Sequence, residues 1–302
     1  MFVHINRKNT MKKIITLTVA LLSIIPIQSH AATLKSIAII DTGYNSVFPH
    51  SNVVDEVCIT NPNYPSCPNG SVFQEGAGSA QLTTSQLSLT NALHGTEMLA
   101  AADTTGNVPV VFIRIASFYN NTMYMPSVAQ ERAAFDWVYQ NAAKFNIGAV
   151  SLSMGSLATN CYYDAQMATS VNNLKALGIP LIAAAGNNSF INQIAYPACM
   201  KPTIGIGGTD QYGLYALWSN YSSTLDFAAQ GVMDVYINNV KYHEVGNSAS
   251  TAIFAADWAI IKQNKPNLTY DQEYSLIKST ATLVSNVYVK NIPAINLAAA
   301  LK

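Results

Sequence analysis

Five short apolar runs, each stopped by a turn and most of them separated by segments of helical spacing, constrain the fold more than any other feature. They are Leu34 to Ile40, Val108 to Ile115, Ile147 to Met154, Leu181 to Ala185 and Thr203 to Ile206. A run that is apolar at consecutive positions and too short for a helix reads as a strand buried on both faces. Between them lie Ala92 to Ala102, a helix opening at or near His94, and Ser127 to Phe145, with Ala133, Ala134, Trp137, Val138 and Ala142 on one face. Asp164 to Leu177 is a third helix, stopped by Gly178-Ile179-Pro180. A helix begins near Ser248, and another at Thr269, whose capping box is completed by Gln272. Strands alternating with helices predict an α/β chain: a three-layer, doubly wound, mostly parallel sheet with helices on both faces. Residues 44–90 read as loop-rich, with Asn, Pro, Gly, Ser and Thr, and Val232 to Val245 as a hairpin turning at Asn238-Asn239.

The first 31 residues stand apart. Arg7, Lys8, Lys12 and Lys13 precede a 14-residue apolar run, Ile14 to Ile27, which ends in Ser29-His30-Ala31. A charged start, a short apolar stretch and a small-x-small ending read as a secretory signal peptide, too short to span a membrane. Residues 32–302 then form one domain, with no internal repeat or linker, exported to the periplasm or the medium and free of the membrane once the leader is removed. That part carries 12 Lys+Arg against 16 Asp+Glu, a net charge of −4, and no basic run, which argues against nucleic acid as a partner. All four cysteines lie in it, and an even count in an exported chain favours two disulfides over metal ligation. Cys58 and Cys67 bracket one Pro/Asn-rich loop and most simply pair with each other, leaving Cys161 for Cys199; three connectivities are formally open.

Several strand ends carry chemistry. Val245-Gly246-Asn247-Ser248-Ala249 delivers a serine to the start of an apolar helix, where free N–H groups and the positive dipole end favour developing negative charge. A serine nucleophile needs a base. Of His50, His94 and His243, the three histidines after the leader, His94 sits at a small-residue helix start and is the best placed. Asp41, closing the first buried run in Asp41-Thr42-Gly43, is the natural acceptor to orient that base. Asn187, after the run Leu181 to Ala185, offers a side-chain donor for an oxyanion, and the Ser248 backbone N–H a second.

Asp41-Thr42-Gly43, His94-Gly95-Thr96, Ala183-Ala184-Ala185-Gly186-Asn187 and Gly246-Asn247-Ser248, in that order, resemble the subtilisin-like serine proteases. Ser153-Met154-Gly155, Tyr196-Pro197-Ala198, Trp218-Ser219-Asn220-Tyr221 and Asp226-Phe227-Ala228 agree, so the resemblance spans nearly all of 34–302. It implies a subtilisin-like fold and a secreted, monomeric serine endopeptidase working through an acyl-enzyme. Asp41 would orient His94, His94 would serve as base and then acid, and Ser248 would attack, with Asn187 and the Ser248 N–H holding the oxyanion. The edge Ser153, Met154, Gly155 would pair with an extended polypeptide. Ala183, Ala184, Ala185 and Gly186 would wall a pocket for apolar or aromatic side chains. The family also commonly pairs cysteines placed like Cys161 and Cys199.

Three departures stand out. Asn247 and Ala252 replace the threonine and proline usual around the serine, and the Asn247 amide offers a donor in place of the threonine. Only about ten residues separate Ala31 from Asp41, which leaves no room for a propeptide there. Acidic loop residues marking the family's calcium sites are not evident, so structural calcium is unsupported; catalysis needs no cofactor or metal. These departures leave one alternative, a non-catalytic secreted binding protein on the same fold. Other readings fail sooner. An aspartic protease needs two Asp-Thr-Gly triplets, and His243-Glu244 lacks the second histidine of a zinc helix.

Overall fold

The computed structural model describes residues 34–47, 52–157, 161, 164–237 and 239–302. The leader reading at 1–31, His50 and Asn238 lie outside the described residues. In chain order the strands are β1 (Ser36–Asp41), β2 (Val53–Ile59), β3 (Phe73–Glu75), β4 (Val110–Arg114), β5 (Ser117–Tyr119), β6 (Thr122–Tyr124) and β7 (Ile147–Leu152). They continue with β8 (Leu181–Ala184), β9 (Ile204–Thr209), β10 (Phe227–Gln230), β11 (Val232–Ile237), β12 (Val240–Val245), β13 (Thr282–Val284) and β14 (Ile292–Ala294). The helices are α1 (Thr84–Leu87), α2 (His94–Asp103), α3 (Val128–Asn141), α4 (Ala165–Ala176), α5 (Asn247–Asn264), α6 (Tyr270–Thr280) and α7 (Leu297–Ala300).

Among the described residues, ten strands form one sheet in the order β13-β14-β10-β9-β8-β7-β1-β4-β2-β3. From β14 to β2 all neighbours are parallel, and the edge strands β13 and β3 run antiparallel. β1 shows why apolar runs become central strands. Ile37 and Ile39 face a core layer shared with α2 and α5, while Ala38 and Ile40 face a second layer shared with α3 and α4. Both faces of the strand are dry, so the run needs no polar alternation. α5 behaves likewise: Phe254, Ala255, Ala256, Trp258 and Ala259 are all buried, as expected of a helix apolar on nearly every side.

The chain lays β4 and β2 on one side of β1, and β7, β8, β9 and β10 on the other. A crevice therefore opens at the carboxyl ends of β1 and β7, where an open α/β sheet gathers its chemistry. Asp41 is the last residue of β1, and Ser153 follows β7 directly.

Residues 44–90, read as loop-rich, also contain regular elements that the sequence did not announce. They hold β2, β3 and α1, and β2 lies inside the sheet beside β4. Asp55 and Glu56 interrupt its apolar pattern, and Glu56 is nevertheless buried. Its carboxylate accepts from Gly78 N–H at 2.9 Å, Ala80 N–H at 3.0 Å and the Gln81 amide at 3.0 Å, so the charge is fully used in fixing the following loop. The hairpin at 232–245 forms as β11 and β12, with Asn239 in the left-handed region at φ 63. Thr269 caps α6 with Gln272 as its partner. Cys58–Cys67 and Cys161–Cys199 are both bonded. No described helix is long and apolar enough to cross a membrane.

Candidate active site

Asp41 leaves β1 fully buried, and its Oδ1 lies 2.7 Å from His94 Nδ1. The same oxygen accepts the Thr42 N–H at 2.7 Å. Thr42 then ties the turn to the start of α2. Its hydroxyl donates to the Ala92 carbonyl at 3.1 Å and accepts the Gly95 N–H at 3.0 Å. The two glycines let these segments touch. Gly43 sits at φ +112, and a side-chain carbon at Gly95 would stand 2.2 Å from the Gly43 carbonyl oxygen. The Asp41-Thr42-Gly43 and His94-Gly95 sequences are thus two halves of one close backbone contact.

This contact gives a direct test. Gly95→Ala must push α2 off the Asp41 turn, because a backbone carbonyl cannot swing aside as a flexible side chain can. A displacement near 1 Å at a catalytic base is worth about 10²-fold in rate. The expected result is a kcat loss of that size with a lowered thermal midpoint, checked by peptide hydrolysis and thermal unfolding.

The His94 side chain is 24% exposed, with its buried nitrogen on Asp41. Burial lowers its pKa, but the charge and hydrogen bond of Asp41, with Glu244 and Glu97, more than offset this and leave it raised to about 9. Glu97 lies one turn after His94 on α2, and Glu244 on β12. Burial raises the pKa of both glutamates, and each lies near enough to Asp41 and His94 to be influenced by them. The motifs gave no hint of this negative surround, although the spacing of Glu97 from His94 was there to be read.

Ser248 is the second residue of α5, after Gly246 and Asn247, and is 8% exposed. Its N–H belongs to the first helical turn and has no intrahelical acceptor. Its hydroxyl donates to the Ser153 carbonyl at 3.3 Å, and Ser153 Oγ donates to the Ser248 carbonyl at 3.0 Å. No hydrogen bond joins Ser248 to His94 among the described residues. The nucleophile candidate is held against the end of β7, and Oγ must leave the Ser153 carbonyl to engage the base.

Asn187 is exposed beside this serine. Its Oδ1 accepts the Asn247 N–H at 2.9 Å, which leaves its Nδ2 as the outward donor. Its loop is clamped by Asn220, which is fully buried. The Asn220 Oδ1 accepts from Asn188 N–H at 2.9 Å and Phe190 N–H at 3.1 Å, and its Nδ2 donates to the Ala185 carbonyl at 3.1 Å. Asn247 corrects the sequence reading. Its side chain is fully buried and its Nδ2 donates to the Gly186 carbonyl at 2.8 Å, so it braces the Asn187 loop from inside.

Of the substrate-binding candidates, Ser153 is buried against Ser248, Met154 is buried in the layer shared with α3 and α4, and Gly155 is exposed. Ala183 and Ala185 face into the core layer shared with α3 and α4, as strand alternation requires. Of the four residues expected to wall a pocket, Ala184 and Gly186 are the two left outside that layer. Among the described residues no three His, Cys, Asp or Glu are grouped to hold a metal ion.

The family model of the Subtilase family matches residues 35–294. Subtilisin Savinase of Lederbergia lenta is 28% identical over 178 residues, covering 58% of this chain and 63% of that protein. Alkaline elastase YaB of a Bacillus species is 32% identical over 149 residues, covering 49% and 38%. The chain spans about half the length of the curated relatives it matches. Among solved structures, proteases from Pseudoalteromonas arctica superpose with a TM-score of 0.70 at 18% identity, covering 88% of this chain and 89% of that one. A cold-adapted subtilisin-like serine proteinase superposes at 0.63 with 20% identity, covering 86% and 87%. At such identities the likeness speaks for the fold.

Proposed function

Because the chain belongs to the subtilase family, with the family model matched over residues 35–294, we propose that it is a serine endopeptidase acting through Asp41, His94 and Ser248. The observation that carries the reading is the 2.7 Å contact between His94 Nδ1 and buried Asp41, with α2, which His94 opens, packed against α5, which carries Ser248 in its first turn. With Nδ1–H given to Asp41, the imidazole keeps its Nε2 lone pair for a proton. Ser248 Oγ leaves the Ser153 carbonyl, yields its proton to Nε2 and attacks the scissile carbonyl carbon. The tetrahedral oxyanion accepts from the Ser248 N–H and Asn187 Nδ2. His94 then protonates the leaving amine, and water repeats the sequence on the acyl-enzyme.

The free edge near Gly155 would receive the substrate as an extended strand, giving affinity through backbone bonds and little demand on sequence. Residues 32–302 would act as one monomeric catalytic domain. Two disulfides support maturation in an oxidising compartment, and with residues 1–31 as leader we place the protein in the periplasm or the medium.

The test is incubation with a reduced, alkylated polypeptide and mass analysis of the fragments. Internal cleavage at many sites is expected. An intact polypeptide after incubation with folded, disulfide-bonded protein would overturn the reading in favour of a binding protein.

A further inference from the structure

α5 is apolar on nearly every side, and Asp257 interrupts it. The side chain is 5% exposed, and among the described residues it makes no hydrogen bond or ion pair. Burial alone raises its pKa to about 7. The helix does not need an acid here, since Ala255, Ala256, Trp258 and Ala259 fill buried positions beside it with apolar groups. A buried carboxylate without a partner is costly.

Asp257 lines a cavity of about 610 Å³ about 14 Å along the helix from Ser248, at the 1.5 Å rise per residue of an α-helix. The polar side chains of the wall offer mainly acceptors. The hydroxyls of Thr104 and Thr105 donate back to the Ala101 and Ala102 carbonyls at 2.7 and 3.0 Å, which leaves their lone pairs to the cavity. The Gln230 amide donates to the Val232 carbonyl at 3.1 Å, which leaves its oxygen and one N–H. Asp234, at the rim, is paired with Lys241 at 2.8 Å and His243 at 3.0 Å. The wall also includes the carbonyl end of α2, capped at Thr104, where the helix dipole favours a cation. The remaining wall is apolar: Met233, Ile253 and Leu297, with Ile295.

A ligand that satisfies this wall must bring donors, positive charge and an aliphatic body. We propose that the cavity binds a primary ammonium or guanidinium group on an aliphatic stem, with the cation on Asp257 and the stem against Met233, Ile253 and Leu297. The stem packs as Lys and Arg side chains do when only their charged heads need polar company. The proposal concerns a site separate from the serine and does not depend on the protein being a protease.

The test is calorimetric titration at pH 8, where Asp257 is ionised, of the full chain carrying Ser248→Ala so that peptides survive. The probes are 1,5-diaminopentane, the peptide acetyl-Gly-Lys-Gly-amide and neutral 1-pentanol. Saturable binding of an amine probe, absent for 1-pentanol and weakened about tenfold or more by Asp257→Asn, is expected. Tighter binding of the peptide would identify a polypeptide side chain as the occupant, and tighter binding of the diamine a free amine. Asp257→Asn removes a buried charge and should not lower the thermal midpoint at this pH. Thr105→Val, which leaves α5 untouched, should weaken binding several-fold. Binding that is indifferent to Asp257→Asn, or no saturable binding up to about 10 mM by folded protein, would overturn the proposal.

Discussion

Ser248→Ala is expected to lower kcat by about 10⁶-fold, and Ser250→Ala to leave it unchanged. The two serines are two residues apart on α5, which puts their side chains about 200° apart around the helix. Ser248 is bonded to Ser153 and adjoins Asn247, whose N–H is held by Asn187. Ser250 is fully buried, and its Oγ would lie 2.9 Å from a side-chain carbon at Gly231, with no hydrogen-bond partner among the described residues. Removing an unsatisfied hydroxyl costs little and can stabilise. Both variants should therefore fold, with the Ser250→Ala thermal midpoint equal to or above that of the parent. Turnover of a peptide substrate separates them, and comparable losses in both would show that the helix rather than one hydroxyl is being measured.

Asp41→Asn is expected to lower kcat by about 10⁴-fold with little change in KM. An asparagine can present an N–H to Nδ1, which selects the wrong imidazole tautomer and leaves Ser248 without an acceptor. The pH dependence supplies an independent readout. In the parent, burial depresses the His94 pKa while Asp41, Glu244 and Glu97 outweigh it, so the base is freed only as pH approaches about 9. kcat/KM should then rise about tenfold per pH unit until that point. In Asp41→Asn the opposing charge and hydrogen bond are gone and burial remains, so this limb moves to lower pH. Stability should move in the opposite sense to activity. A histidine raised from 6.5 to about 9 on folding contributes stability that is fully present below 6.5 and lost as pH rises through 9. Asp257 and Glu131, raised by burial to about 7 from 3.8 and 4.5, cost stability as pH rises towards 7 and no further above it, which leaves His94 to act between 7 and 9. Thermal midpoints across that interval should fall in the parent and flatten in Asp41→Asn.

The sheet was legible where strands are buried on both faces, because β1, β4, β7, β8 and β9 appear as mostly apolar runs. β2 was hidden by Glu56, a charge whose burial depends on three donors from a loop more than twenty residues away. β10 and β14 are four and three residues long, too short for a period to declare itself. At the site, Asp41, His94, Asn187 and Ser248 were visible because each follows an apolar run or opens a helix at a small-residue turn. What those turns do to one another was not. The fit of Gly95 against Gly43, the inward brace of Asn247 and the clamp of Asn220 are contacts between distant segments. The alternation of Ala183 and Ala185 into the core could have been read from period two alone. Asp257 was visible as an acid in an apolar helix, but its cavity is assembled from α2, β11 and the chain after β14.

The account rests on Ser248 being a hydroxyl activated by His94 and Asp41, and covalent trapping addresses that most directly. Folded, disulfide-bonded protein would be treated with a fluorophosphonate at pH 8.5, digested and mapped by mass spectrometry. One adduct on Ser248, formed far more slowly in Asp41→Asn, is the predicted result. An adduct elsewhere, or none on protein shown to be folded, would contradict it.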